Sequence, residues 1–307
     1  MQLKKPKIIL INKLEKLRMF SKRFHKLFLV IFFSFSVFGC SEQANQKDDI
    51  FRITAIPDED PTELARKAKP LVQYLSKIIG KKVVYYPVTD YASAVEALVN
   101  KKVEMAWFGG FTYIQAKIRS NGAVIPIIQR IEDQGFKSVF ISSDSSINSL
   151  SDLKGKEVSF GSVSSTSGHL WPRSFLLKEG INPEKDFKRV AFSGAHDATI
   201  ISVGSGKVQA GALNFKTWEK FVKKDMVPDG VKVFYTTPGY YNYNWTIHKD
   251  VPKQTREKII EGFLELSQDT QIGKEILSLQ QASGYIRTKD ENYVGLEKAA
   301  KSADLLK

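Results

Sequence analysis

Three hydroxyl side chains in a row, Ser165, Thr166 and Ser167, lead into Gly168, His169, Trp171 and Pro172 in the stretch SSTSGHLWPR (residues 164–173). Hydroxyls near histidines suit two chemistries. One is nucleophilic, with Ser167 attacking, His196 or His169 as base and Asp197 as the orienting carboxylate. The other is anion recognition, in which hydroxyls and backbone N–H groups at a helix start hold an oxyanion without any Lys or Arg. The spacing favours the second. There is no G-x-S-x-G elbow, and His169 lies two positions after Ser167, where helical side chains diverge. Asp197 adjoins His196 in sequence and cannot face it along a helix. Ser and Thr are good N-caps, and Pro172 is tolerated only in a first helical turn. No H-E-x-x-H motif or Cys/His cluster offers a metal site. The chain is therefore expected to be a binder and not an enzyme, with neither metal nor cofactor.

The same device recurs. In FGGFTYIQA a strand ends, Gly109 and Gly110 turn, and Thr112 and Tyr113 open a helix. In TDY, Tyr91 stands at another helix start, and SGAHDAT places His196 and Asp197 at a fourth. His196 can donate a hydrogen bond to an oxyanion, while Asp197 is expected to cap the helix or orient His196. Asn214 follows the strand-like AGAL, and GYYNYNW brings Tyr240, Tyr241 and Tyr243 together.

These turns need strands and helices to hold them. FRITAI (51–56) alternates like a strand, and TELARKAKPLVQYLSKIIG puts Leu64, Ala68, Leu71, Leu75 and Ile78 on one helical face before Gly80. Strand-like and helix-like segments then alternate, which implies a largely parallel sheet with helices on both faces. At Ser142 the chain turns polar (SSDSSINSLSDLKGKEVSFGS) and a second strand–helix series begins. The spacing predicts two α/β lobes joined by crossings near 141–144 and 240–246. Lobe 1 would comprise 51–141 with 245–307, lobe 2 would comprise 142–244, and the C-terminal helices would pack back on lobe 1.

The 307-residue chain has a formal net charge of +13. Residues 1–40 carry nine Lys or Arg against one acid, Glu15, which leaves +5 for the remainder. So mild a surplus, with no basic stripe interleaved with aromatics, excludes a nucleic-acid partner. The N-terminus reads as an address (1–39). A basic segment, Ser21–Lys26, precedes LFLVIFFSFSVF, whose 12 apolar-rich residues suit a signal peptide and fall short of the ~20 of a membrane span. Met19 is an alternative start. The sole cysteine, Cys40, follows in VFGC. This resembles a bacterial lipobox, with lipidation expected at Cys40, a tether over 40–50 and a membrane anchor. The mature protein is expected outside the cytoplasmic membrane, as a monomer.

SLSDLKGKEVSFGS resembles the start of the second lobe in type II periplasmic binding proteins. FRITAIPDEDPTEL, PVTDYASAVEAL, MAWFGGFTYIQA, SSTSGHLWPR, GAHDATIISVGSGKVQAGAL and YYNYNWTI together resemble, in the same order, the phosphonate-binding family of ABC-transporter receptors. The likeness runs from about 51 to 290, and its motifs are most similar to a branch called selenate-binding. It implies a two-lobed type II periplasmic-binding-protein fold with the ligand cleft between the lobes. It further implies capture of a small tetrahedral oxyanion (phosphonate, phosphite, phosphate or selenate) and delivery to an ABC permease with its ATPase. Carried residue by residue, it assigns ligand contacts to Tyr91, Tyr113, Ser165, Thr166, Ser167, His196, Asn214 and one of Tyr240 and Tyr241. Some relatives have an acid near Asn214, so a neutral Asn argues against an aminoalkyl phosphonate. The alternatives are a sensing module for a separate transducer and, on weaker grounds, a periplasmic hydrolase.

Overall fold

The computed structural model describes residues 50–306. The signal segment, Cys40 and the tether before Ile50 lie outside the described residues. The elements in order are β1 (Ile50–Ala55), α1 (Pro61–Ile79), β2 (Lys82–Tyr85), α2 (Tyr91–Val99), β3 (Met105–Phe108), α3 (Gly110–Arg119), β4 (Val124–Arg130) and β5 (Ser138–Ser142). There follow β6 (Glu157–Phe160), a π-helical turn (Thr166–Leu170), α4 (Trp171–Lys178), α5 (Pro183–Asp186), β7 (Arg189–Phe192), α6 (His196–Gly204), β8 (Ala210–Asn214), α7 (Phe215–Lys223) and β9 (Lys232–Thr236). The chain ends with β10 (Asn244–His248), α8 (Lys253–Leu264), α9 (Gln271–Gln280), β11 (Tyr285–Arg287) and α10 (Val294–Ser302).

Helix α1 illustrates how the sequence builds these elements. Asp60 caps it through Thr62 and Glu63 N–H groups, and Gly80 ends it at φ 67°, a left-handed position that glycine adopts without strain. Its face of Leu64, Ala68, Leu71 and Leu75 is buried as the spacing predicts, with Ile79 buried where Ile78 was expected. Pro70 removes one helical hydrogen bond, yet the helix continues because each buried aliphatic side chain stabilises by roughly 1.5–3 kcal/mol.

Two sheets result. The first has the order β11-β4-β10-β3-β1-β2 and the second the order β7-β6-β8-β5-β9. Both are mixed, where a largely parallel arrangement was expected. β1 runs parallel to β2 and β3, and β6 to β7 and β8. β10 returns from the second sheet and inserts antiparallel between β3 and β4, and β5 runs antiparallel to both β8 and β9. The lobe boundary also differs. β5 belongs to the second sheet, so the chain first crosses at 131–137 and not at 141–144. Val139 and Ile141 pack into the core on one face of that sheet and Phe140 into the core on the other. The polar run after Ser142 follows a strand already inside lobe 2. The second crossing falls between Thr236 and Asn244, close to the expected place.

At the hinge the two crossing segments pair. Phe136 and Tyr240 exchange both backbone hydrogen bonds, at 2.9 Å each. The C-terminal helices pack back on the first lobe: Ile259, Ile260 and Phe263 join its core, and the Tyr74 hydroxyl donates to the Gly262 carbonyl at 2.6 Å. Among the described residues no helix is long and apolar enough to cross a membrane.

Candidate functional site

Five strand-to-helix turns converge from the two sheets, at the carboxyl ends of strands where open α/β sheets bind ligands. From lobe 2, Ser165 caps the π-helical turn by accepting from Gly168 N–H at 3.0 Å. His196 opens α6, and Asn214 caps α7 by accepting from Thr217 N–H at 2.5 Å. From lobe 1, Asp90 caps α2 so that Tyr91 is its first residue, and Gly109 precedes α3.

Tyr91, Ser165, Thr166, Ser167, His196 and Asn214 are all buried, none exposed by more than 3%. The Ser167 hydroxyl lies 3.4 Å from His196 Nε2. His196 Nδ1 faces the Asn214 backbone N–H at 3.4 Å. A backbone N–H only donates, so Nδ1 must accept and the ring hydrogen sits on Nε2. Burial lowers the His196 pKa to about 4, so the ring is neutral at physiological pH. His196 thus presents a neutral N–H donor between Ser167 Oγ and Tyr243 Oη, each at 3.4 Å. Those contacts are long, and no short acceptor takes the hydrogen. The Tyr91 hydroxyl is likewise buried without a hydrogen-bond partner.

This geometry disposes of the nucleophilic alternative. Ser167 and His196 do approach, but a general base needs a lone pair toward the hydroxyl, and Nε2 carries the hydrogen. Asp197 does not orient His196. Its carboxylate accepts from its own neighbour's N–H, that of Ala198, at 2.7 Å. His169 is structural: Nδ1 donates to the Val163 carbonyl at 2.7 Å, Nε2 accepts from Arg173 Nε at 2.8 Å, and the ring packs against Phe160 and Phe192. Among the described residues no group of three or more His, Cys, Asp or Glu is placed to hold a metal.

Two of the expected tyrosines lie elsewhere. Tyr113 is the fourth residue of α3, past the first turn; its hydroxyl donates to Asp290 at 2.5 Å and its ring packs on Tyr293, away from the cluster. Tyr241 is half-buried against the first-lobe core. Tyr240 bonds Ser138 at 2.9 Å and packs at a tilt on Trp171, at the hinge beside Ser167. The tyrosine inside the cluster is Tyr243. Its ring stacks on Trp107 at 5.4 Å, and its oxygen accepts from Asn214 Nδ2 at 3.1 Å.

Asp58 was not anticipated. It is 7% exposed, and its Oδ2 accepts the Tyr243 hydroxyl at 2.7 Å. Its carbonyl accepts the His196 backbone N–H at 3.0 Å, across the lobes. Only its place in FRITAIPDEDPTEL hinted at a role. A cavity of about 50 Å³, room for a few waters, adjoins Asp58, Asn214 and Tyr243 and is also lined by the charged Glu59, Lys67 and Arg130.

Among the described residues the cluster holds no unpaired cation: Lys67 pairs with Glu59 at 2.8 Å. The guanidinium of Arg130, 5.1 Å from the Tyr243 ring centre, is fixed in a two-pronged ion pair with Asp133 at 2.7 and 2.9 Å. Neutral donors converge where the two hinged lobes meet.

The family profile described as ABC transporter, phosphonate, periplasmic substrate-binding protein matches residues 53–293. The chain belongs to this family. It is 33% identical over 287 residues to the probable ABC transporter phosphite binding protein PhnD1 of Prochlorococcus marinus (strain MIT 9301), covering 89% of this chain and 95% of the relative. It is 28% identical to the phosphonates-binding periplasmic protein of Escherichia coli (strain K12), covering 76% of this chain and 70% of that protein. The solved structure of the Prochlorococcus protein in complex with methylphosphonate superposes with a TM-score of 0.80 at 32% identity, covering 84% of this chain and 99% of that one. The chain is thus an extracytoplasmic substrate-binding protein of a phosphonate- or phosphite-type ABC transporter, with the two-lobed α/β fold of such receptors. Its relatives are transport proteins, not enzymes.

Proposed function

We propose that this receptor captures a small tetrahedral oxyanion between its lobes through Tyr91, Ser165, Thr166, Ser167, His196, Asn214 and Tyr240, with Tyr243 replacing Tyr113 and Tyr241 in the set. The observation that carries this is the convergence of buried, neutral donors, two of them (Tyr91 O–H and His196 Nε2–H) without a short acceptor. Groups left so poorly satisfied by the protein are those an anion would satisfy. The lobes, 50–130 with 244–306 and 138–236 by their strands, close about the paired segments at Phe136 and Tyr240, expel water and present the closed form to the permease. A signal peptide over 1–39, a lipid anchor at Cys40 and a monomeric state complete the proposal.

The test is a thermal-shift screen of methylphosphonate, phosphite, phosphate and selenate. A ligand that binds only the native state stabilises it by about 2.7 kcal/mol at a hundred times its Kd, so the true ligand raises Tm at millimolar or lower concentration. No shift with any of the four overturns the proposed ligand class.

A further inference from the structure

An anion site without a cation of its own nevertheless contains a carboxylate. Asp58 is surrounded by Glu59 beside it in the chain, Lys67 of α1, Tyr85 of β2, Tyr91 of α2, Arg130 of β4, His196 of α6 and Tyr243. The cations among these are already engaged: Lys67 with Glu59 at 2.8 Å, Arg130 with Asp133. Burial, then Glu59, raises the Asp58 pKa to about 6 against the opposing pull of Lys67, Tyr243 and Arg130, so the group is ionised at neutral pH.

An ionised carboxylate only accepts, so Tyr243 must donate its single hydrogen to Asp58, at 2.7 Å. The phenol oxygen then offers only lone pairs toward the cluster. Those lone pairs meet Asn214 Nδ2 at 3.1 Å and His196 Nε2–H at 3.4 Å. An anion's oxygen is a stronger acceptor than a phenol. Once His196 turns its N–H to that oxygen, the Tyr243 oxygen keeps the Asn214 amide as donor and has its second lone pair open toward the ligand.

We propose that Asp58, acting through Tyr243, selects a ligand that still carries a proton: a tetrahedral oxyanion whose O–H donates to the Tyr243 oxygen while its other oxygens take the donors of Ser165, Ser167 and His196. This rests on the proposed receptor function and narrows it. Monoanionic phosphonate or phosphite satisfies the array. A fully ionised anion such as selenate has no hydrogen to give. It sets acceptor against acceptor and its charge against the Asp58 carboxylate, which is the mismatch that lets buried polar sites reject near-isosteres. Asp58 is a positioning residue, since it reaches the ligand only through Tyr243.

The experiment is titration calorimetry of the purified full chain with methylphosphonate, phosphite and selenate across the second ionisation of the first two, in buffers of differing ionisation enthalpy. The wild type is expected to lose affinity about tenfold per pH unit above that ionisation, to take up one proton per ligand there, and not to bind selenate. Asp58→Asn gives the Tyr243 oxygen an amide donor and frees the hydroxyl for the ligand. The variant is expected to lose the pH slope and to gain binding of selenate. A merely structural role would lower affinity equally at every pH. Tyr243→Phe, which removes the oxygen, is expected to flatten the slope as well and serves if Asp58→Asn does not fold. Wild-type binding independent of pH, or a slope unchanged in both variants, overturns the inference and leaves the receptor intact. No binding of any of the three anions at any pH overturns both.

Discussion

Thr166 and Phe111 belong to different lobes, yet the Thr166 hydroxyl accepts the Phe111 backbone N–H at 2.9 Å. The first N–H groups of a helix have no intrahelical partner, and α3 obtains this one from across the cleft. Thr112 reciprocates by donating to the Ser164 carbonyl at 3.0 Å. The approach is close: a Cβ on Gly109 would stand 2.7 Å from Thr166 Oγ1. Thr166 therefore acts on closure in addition to any ligand contact. In Thr166→Val, the Phe111 N–H is solvated in the open form and stranded in the closed one, at a cost of about 1–3 kcal/mol. Affinity for the ligand is expected to fall about tenfold, with Tm of the ligand-free protein little changed, as read by calorimetry and thermal melting.

Ser167 and His196 are buried donors that meet at 3.4 Å in the centre of the cluster. Ser167→Ala and His196→Ala are each expected to weaken binding at least tenfold, about 1.4 kcal/mol. Tyr113→Phe supplies the contrast. Its hydroxyl serves Asp290 and not the cluster, so the variant is expected to keep wild-type affinity and to lose about 1 kcal/mol of stability. Weak binding by Tyr113→Phe, or normal binding by both other variants, would contradict the arrangement described.

Lys220 of α7 reaches over the cleft to Glu59 at 2.5 Å and Glu63 at 3.2 Å, and Lys67 holds the other oxygen of Glu59. The Lys220–Glu59 pair is largely buried, with 15% and 9% of the two side chains exposed. It exists only when the lobes are together. Lys220→Met leaves Glu59 paired with Lys67, so the loss is that of a partly screened bridge, about 1 kcal/mol or roughly fivefold in affinity. The change is expected in the dissociation rate, measured by stopped-flow, and to shrink as salt is raised.

Much of this was legible in the sequence. The helix faces, the cap signals around Ser165, and the hydroxyl run before Pro172 all follow from local rules that tertiary structure left standing. Sheet membership of β5 was not, because a strand buried on both faces carries no mark of which sheet it joins. Nor was the choice among Tyr240, Tyr241 and Tyr243. Residues 241–243 lie between β9 and β10 in no regular element, so strand alternation cannot sort their faces. Tyr113 looked well placed because it follows a glycine turn, but three residues into a helix its side chain has rotated to the rear. Asp58 was hidden by charge logic itself, since a carboxylate is the last group expected beside an anion.

The two buried histidines of lobe 2 destabilise the fold toward acid pH. Burial, reinforced by Arg173, lowers the His169 pKa to about 4, and burial lowers that of His196 to about 4, against 6.5 in the unfolded chain. Below pH 6.5 the unfolded state binds protons that the folded state refuses. The stability these groups contribute is therefore full above about pH 6.5 and is lost as pH falls toward 4. For each the loss approaches roughly 3 kcal/mol. Asp58 opposes them. Its pKa is raised from 3.8 to about 6, so the folded state holds its proton more tightly and gains stability as pH falls through that window. It offsets part of the histidine loss. Thermal melts are thus expected to show Tm falling from about pH 7 to about pH 4, and His169→Gln, which cannot titrate, to show a shallower fall from a lower starting Tm. An equal slope in that variant would assign the acid limit to other groups.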